Sequence, residues 1–296
     1  MTLLRVALVG AMCTLAACAT PPDITPLRQA VSDRHPRLGA SLAKGTFGKS
    51  VATAVQRSTT LGRSEAALRE EPGAALQYGA TEGYNPLREQ LAAFMASKGV
   101  QGLQADGLIV TTGSQQALDL IAKTLLNPGD VALVEGPTFL ATIQCFRLYG
   151  PQVVAVPIDA QGVQVDALEA MIVQHRPKLV YLIPTFGNPS GATLSLARRR
   201  RVLELAVQYQ TVVVEDDPYG DLYFGEAPPP SLLALSDSVP GSRDWLVHCG
   251  SLSKVLSPGL RVGWMIAPPA LLARATMCKQ FSDRSEERRV GKECLR

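Results

Sequence analysis

The stretch GSLSKVLSPGLRVGW, residues 250–264, sets Lys254 among small hydroxylic residues and follows it with Arg261. A loop lysine ordinarily faces solvent, but the same amine condenses with an aldehyde where a site holds one. Arg261 and Ser251 add a forked cation and a hydroxyl, a pair suited to gripping a phosphate. Gly113-Ser114-Gln115 offers a second anion-binding feature if a helix opens there, because unpaired backbone N–H groups, a hydroxyl and the positive end of the helix dipole then converge. Taken locally, that signal is weak, and Ser114 reads first as an ordinary helix cap. Asp216, at the end of TVVVED, is expected to be largely buried, where a carboxylate is costly without a cationic partner. A protonated ring nitrogen would serve; the alternative is that Asp216 and Asp217 cap a turn before Pro218. Tyr219 and Asn188 add a phenol and an amide. A phosphate, a protonated pyridine, an aldehyde for the lysine and a phenolic oxygen for the tyrosine and asparagine are the parts of pyridoxal 5'-phosphate, an electron sink that a protein binds and tunes.

Those residues need a frame that brings them together. Asn85 as a cap with Pro86 at the first helical position opens a helix over NPLREQLAAFMASKG, and SEAALREEPG reads as an earlier helix stopped at Pro72-Gly73. Short β-branched runs then alternate with helical periods: LIVTT, VALVE, PQVVAVP, KLVYLIP, TVVVED, WLVHC and VGWMIA as strands, and SQQALDLIAKTLL, VDALEAMIVQH and LARRRRVLELAVQYQ as helices. Strands apolar almost throughout and separated by amphipathic helices predict an α/β fold, a mostly parallel sheet with helices on both faces. In open sheets of that kind ligands bind outside the carboxyl ends of the strands. Gly113 to Gln115, Asn188, Asp216 with Tyr219, and Lys254 each follow a predicted strand, so they are expected to converge.

The segments QYGATEGYNPLR, TTGSQQALDLIAKTLLNPGD, EGPTF, PTFGNPSG, VEDDPYGDL and SLSKVLSPGLRVGW, in this order, resemble the class I/II aminotransferases of fold type I, most closely their 2-aminoadipate and broad-specificity branch. The resemblance runs from about Ser64 to Phe281. It implies a pyridoxal 5'-phosphate enzyme that moves an amino group between an amino acid (2-aminoadipate, glutamate, aromatic or branched-chain) and a 2-oxo acid. It further implies Lys254 as the Schiff-base lysine and proton shuttle, Asp216 as partner of the pyridine nitrogen, Tyr219 and Asn188 at the ring hydroxyl, and Phe139 stacked on the ring. Gly113, Ser114, Gln115, Ser251 and Arg261 would hold the phosphate, joined by Tyr78 from the other subunit of a homodimer. Phe139 and Tyr78 are also explicable as packing aromatics.

The ends depart from the family pattern. Residues 1–63 lack its N-terminal segment; Arg5, the apolar run Val6 to Ala17 and Leu15-Ala16-Ala17-Cys18 resemble a bacterial lipoprotein signal. That run is too short to span a bilayer, and the expectation is a frame artefact and a cytoplasmic enzyme with no membrane partner. Residues 284–296 resemble translated adapter sequence, leaving 64–283 as the cofactor-binding large domain. The small C-terminal domain and its substrate-gripping arginine have no counterpart here, so the chain as given is expected to be an inactive fragment, with Arg147 and Arg243 the first substitutes to consider. An aminotransferase-like effector domain of a transcription regulator is the alternative, disfavoured because residues 1–63 are too short and irregular for a winged helix and linker.

Composition adds exclusions. Across 296 residues, 46% are hydrophobic and 19% charged, ordinary for a soluble globular chain of roughly two domains. The net charge of +3 comes partly from local arginine clusters rather than a basic stripe, which argues against nucleic acid. Six cysteines and three histidines have neither zinc-ligand nor disulfide-framework spacing, so no metal is expected, and Cys145 and Cys249 read as small core residues.

Overall fold

The computed structural model describes residues 78–256 and 258–282. The expectations for residues 1–63, for a helix ending at Pro72-Gly73 and for residues 284–296 lie outside the described residues. Strands β1 (Leu108–Thr111), β2 (Val131–Gly136), β3 (Gln152–Asp159), β4 (Gly162–Val163), β5 (Leu179–Leu182), β6 (Val212–Asp217), β7 (Leu246–Ser251) and β8 (Gly263–Ile266) form one sheet in the order β1-β8-β7-β6-β5-β2-β3-β4. Its centre is parallel, from β3 through β2, β5 and β6 to β7. β8 runs antiparallel between β7 and β1, and β4 turns back on β3.

Strands β5, β7 and β8 inside the sheet, and β1 at its edge, are buried at every position, which requires cover on both faces. Helices α1 (Asn85–Ser97), α2 (Gly113–Leu125), α3 (Leu140–Arg147), α4 (Val165–His175), α5 (Leu196–Tyr209), α6 (Leu232–Leu235) and α7 (Pro269–Ser282) supply it. Leu87 and Leu91 of α1, Leu168 of α4, Val202 and Leu203 of α5, and Leu232 of α6 share one core layer with Val180, Leu182 and Val213. Ala117, Leu118 and Ile121 of α2, Phe146 of α3, and Leu271 and Ala275 of α7 share the other with Tyr181, Val214 and Cys249. Cys145 and Cys249 are both buried. Alternate residues of β5 and β6 thus feed opposite layers, as the two-residue period of a strand demands.

Local boundaries shift for identifiable reasons. Helix α1 takes Tyr84, not Asn85, as its N-cap, because the Tyr84 carbonyl accepts from the amides of Leu87 and Arg88 at 3.0 and 3.1 Å. Asn85 donates instead to Glu89 at 2.6 Å. Helix α2 starts after Thr112, whose N–H is accepted by the Gln116 side chain at 2.8 Å. Ser114 is therefore the second residue of the helix, and the alternative in which it caps the helix does not hold. Among the described residues no helix is long and apolar enough to cross a membrane.

Candidate active site

The registers bring the singled-out residues to one edge of the sheet. Gly263, at the start of β8, pairs with both Thr111 at the end of β1 and Ser251 at the end of β7. Gly250 pairs with Asp217 of β6, and Glu215 with Leu182 at the end of β5. The segments carrying Gly113 to Gln115, Asn188, Tyr219, Lys254 and Arg261 all leave or enter the sheet at that level. Phe139 follows the end of β2 and caps α3. It packs, like Tyr219, on the core layer beneath α2.

Arg261 lies across the start of α2. Its guanidinium donates to the Thr112 carbonyl at 3.2 Å and to Ser253 Oγ at 3.4 Å. The Ser253 amide in turn donates to Ser251 Oγ at 3.1 Å. A Cβ on Gly113 (φ +73°) would stand 2.7 Å from an Arg261 nitrogen, so only glycine lets the guanidinium approach this closely. Arg261 is itself in left-handed backbone at φ +50°, as is Phe186 near Asn188 at φ +51°, a conformation that costs an L residue about 1–2 kcal/mol. A helix N-terminus, a buried serine hydroxyl and an exposed guanidinium are thereby held together, a donor set suited to a phosphate. Lys254 stands exposed in the turn after β7, three residues beyond Ser251.

The two neighbouring carboxylates near the end of β6 have divergent environments. Glu215 points into the layer beneath α5 and α6. It is 2.8 Å from His248 Nδ1 and accepts from the Leu232 and Leu233 amides at 2.6 and 3.1 Å. Burial alone would raise its pKa, but His248, the charge of Arg199 and the Leu232 amide outweigh it and hold the carboxyl below its usual range. Asp216 points the other way. Its Oδ2 accepts from the Tyr181 hydroxyl at 2.7 Å, while Oδ1 is buried with no hydrogen-bonding partner among the described residues. Burial pushes Asp216 up to about 7, partly opposed by the Tyr181 bond. Such an orphaned acceptor is costly, and a protonated ring nitrogen is a donor and cation of the kind it lacks. Asp217 instead accepts from the Gly220 amide at 3.0 Å, so the turn-capping role falls to Asp217 and not to Asp216.

Asn188 Nδ2 and Tyr219 Oη meet at 3.4 Å, converging as two groups on one phenolic oxygen would. Tyr78 is 67% exposed, on a segment tied down where Lys279 donates to the Thr81 carbonyl at 2.6 Å. Arg147 closes α3 and Arg243 precedes β7. Both stand where parallel strands begin, at the edge opposite Lys254.

A model of aminotransferase class I and II matches residues 45–283. The chain belongs to that family. It is 45% identical over 218 residues to a 2-aminoadipate transaminase of Thermus thermophilus, an alignment covering 73% of this chain and 52% of the relative. It is 40% identical over 221 residues to aromatic-amino-acid aminotransferase 1 of Thermococcus litoralis, again covering 73% and 52%. Among solved structures, LysN, the α-aminoadipate aminotransferase of Thermus thermophilus in complex with N-(5'-phosphopyridoxyl)-L-leucine, superposes with a TM-score of 0.70 at 41% identity, covering 81% of this chain and 57% of that one. The chain thus spans about half the length of the curated relatives it matches.

Sequence reasoning passed over Tyr181, Ser253 and the Glu215–His248 pair. Tyr181 had one available signal, a hydroxyl in the otherwise apolar run KLVYLIP. Its significance depends on β5 lying beside β6, which a single strand pattern does not disclose.

Proposed function

We propose that this chain forms the cofactor-binding part of an aminotransferase that uses pyridoxal 5'-phosphate to move an amino group between an amino acid and a 2-oxo acid. The observation that carries the reading is the buried Asp216 Oδ1, without a hydrogen-bonding partner among the described residues, at the same sheet edge as Lys254 and the Arg261-bridged start of α2. Bound there, the cofactor supplies an electron sink for the substrate's α-carbon. Asp216 keeps the ring nitrogen protonated, Asn188 and Tyr219 hold the ring hydroxyl, and Phe139 covers the ring. Gly113, Ser114, Gln115, Ser251 and Arg261 bind the phosphate. Lys254 Nζ would hold the cofactor and would take up and return the proton at the substrate's α-carbon.

The names of the relatives support 2-aminoadipate and aromatic amino acids as substrates, and the proposed range adds glutamate and branched-chain amino acids. A cytoplasmic homodimer in which Tyr78 reaches the partner's phosphate completes the proposal. Arg147 and Arg243 stand at the wrong edge to grip a substrate carboxylate, and poor orientation of the α-hydrogen costs orders of magnitude in rate. The 296-residue chain is therefore expected to bind cofactor and transfer amino groups slowly. The test loads the chain with pyridoxal 5'-phosphate, supplies ¹⁵N-labelled glutamate, 2-aminoadipate, leucine or phenylalanine with a 2-oxo acid, and follows the label. Binding with transfer at least about a hundredfold slower than an intact relative is expected. Absence of binding overturns the cofactor assignment, and turnover at an intact relative's rate overturns the slow-transfer assignment.

A further inference from the structure

Tyr181 is fully buried in the middle of the sheet, and its hydroxyl proton is donated to one atom. It pairs in register with Val214, so Asp216, two residues on, lies on the same face and nearer the carboxyl edge. The tyrosine reaches diagonally along that face and donates to Asp216 Oδ2 at 2.7 Å. Phe146 of α3 packs edge-on against its ring, with centroids 5.9 Å apart and planes at 84°, which fixes where the hydroxyl points. One carboxylate oxygen is therefore held from behind, while the other, Oδ1, has no partner among the described residues.

We propose that Tyr181 is a positioning residue: it locks Asp216 in the orientation that presents Oδ1 to a cationic ring nitrogen, and its hydrogen bond favours the charged carboxylate that receives it. The proposal rests on the cofactor reading above. The groups around Asp216 give it few other sources of support. Cys249 of β7 lies near it and is itself held strongly protonated by burial and by the adjacent carboxylates. Glu215 and Asp217 on the same strand oppose its ionisation, and His248 of β7 favours it from a distance. Tyr181 is the direct donor. Its own proton is secure, because burial and Asp216 together hold the phenol well above its usual range. It donates without ionising.

Two measurements on the full 296-residue chain test this, using Tyr181→Phe, which retains the ring and its packing on Phe146. The first is the titration midpoint of the Asp216 carboxyl in the cofactor-free chain, read by ¹³C NMR. Losing a hydrogen bond to a charged acceptor should raise it by about one pH unit or more. Tyr149→Phe, which removes a hydroxyl donating to Asp119 at 2.7 Å, should leave it unmoved. The second compares affinity for pyridoxal 5'-phosphate and for its 1-deaza analogue, which carries carbon in place of the ring nitrogen. Tyr181→Phe should weaken the first about tenfold or more and the second less than about twofold, since the effect passes through the nitrogen. Equal weakening of both ligands, or an unchanged Asp216 midpoint, overturns the proposal and reduces Tyr181 to packing. Failure of the unsubstituted chain to bind pyridoxal 5'-phosphate overturns instead the reading on which it rests.

Discussion

Asp216 has one carboxylate oxygen bound and the other without a partner among the described residues, and its burial has a consequence for stability before any ligand arrives. Burial raises Asp216 to about 7, and raises Glu135, which accepts from the Ile183 amide at 2.8 Å, also to about 7. In the unfolded chain both carboxyls have ordinary values near 4, so the folded state binds more protons between about pH 4 and 7. Their contribution to stability is fully present below about pH 4 and is lost as pH rises through about 7. Urea unfolding of the cofactor-free chain should show stability falling between pH 5 and pH 8 by an amount on the order of a few kcal/mol. Asp216→Asn removes that residue's share, so the variant should be more stable than the parent at pH 8 while binding pyridoxal 5'-phosphate worse. Parallel pH dependences for variant and parent would contradict the assignment of a raised Asp216. A residue that weakens the empty fold to serve a bound cation is a familiar compromise at functional sites.

At the scale of elements, close approach between α2, β7 and β8 fixes the end of the site proposed to bind phosphate. A Cβ on Gly250 would collide with the Trp264 ring, which also packs edge-on against Phe94 at 6.0 Å. Gly250→Ala is expected to lower stability by about 1–3 kcal/mol or more, measured by chemical denaturation. Gly113→Ala should show a different signature. Its strained φ costs about 1 kcal/mol, and the displaced Arg261 guanidinium should weaken pyridoxal 5'-phosphate binding much more than it weakens pyridoxal, which has no phosphate. Equal losses for the two ligands would show that Arg261 and the start of α2 do not bind the phosphate. The alternating strands and helices, and the strand-end positions of Lys254, Asp216, Asn188 and Gly113, were legible because each strand is an apolar run and each site residue breaks one. Helix α3 was not legible, since LATIQCFR is short and mixes β-branched and aromatic residues. Nor was α7: its buried Leu271, Leu272, Ala275 and Lys279 lie on one helical face, but that face ends on a charge while the apolar Met277 and Phe281 are exposed, which blurs the period. The reversal of β8 escaped for a simpler reason: its apolar run reads the same in either direction, yet that reversal puts Arg261 at the same edge as Lys254.

At the scale of the whole chain, the sheet acts as a rigid shelf. Arg199, fully buried on α5, donates to the carbonyls of Leu194, Pro184 and Pro230 and to Thr185 Oγ1. It thereby ties the loop that carries Asn188 to the body of the fold. Arg199→Met should destabilise the chain by about 3–5 kcal/mol in denaturant, because those buried acceptors and the Glu215 carboxylate lose a cation together. The family match over residues 45–283 and the convergence at the carboxyl edge make Lys254 the predicted point of covalent attachment. The most direct measurement is to incubate the 296-residue chain with pyridoxal 5'-phosphate, reduce it with borohydride, digest it and map the modified peptide by mass spectrometry. A stoichiometric phosphopyridoxyl group on Lys254, absent from Lys254→Ala, is expected. Modification spread over exposed lysines such as Lys123 and Lys178, with Lys254→Ala labelled as heavily as the parent, would contradict it.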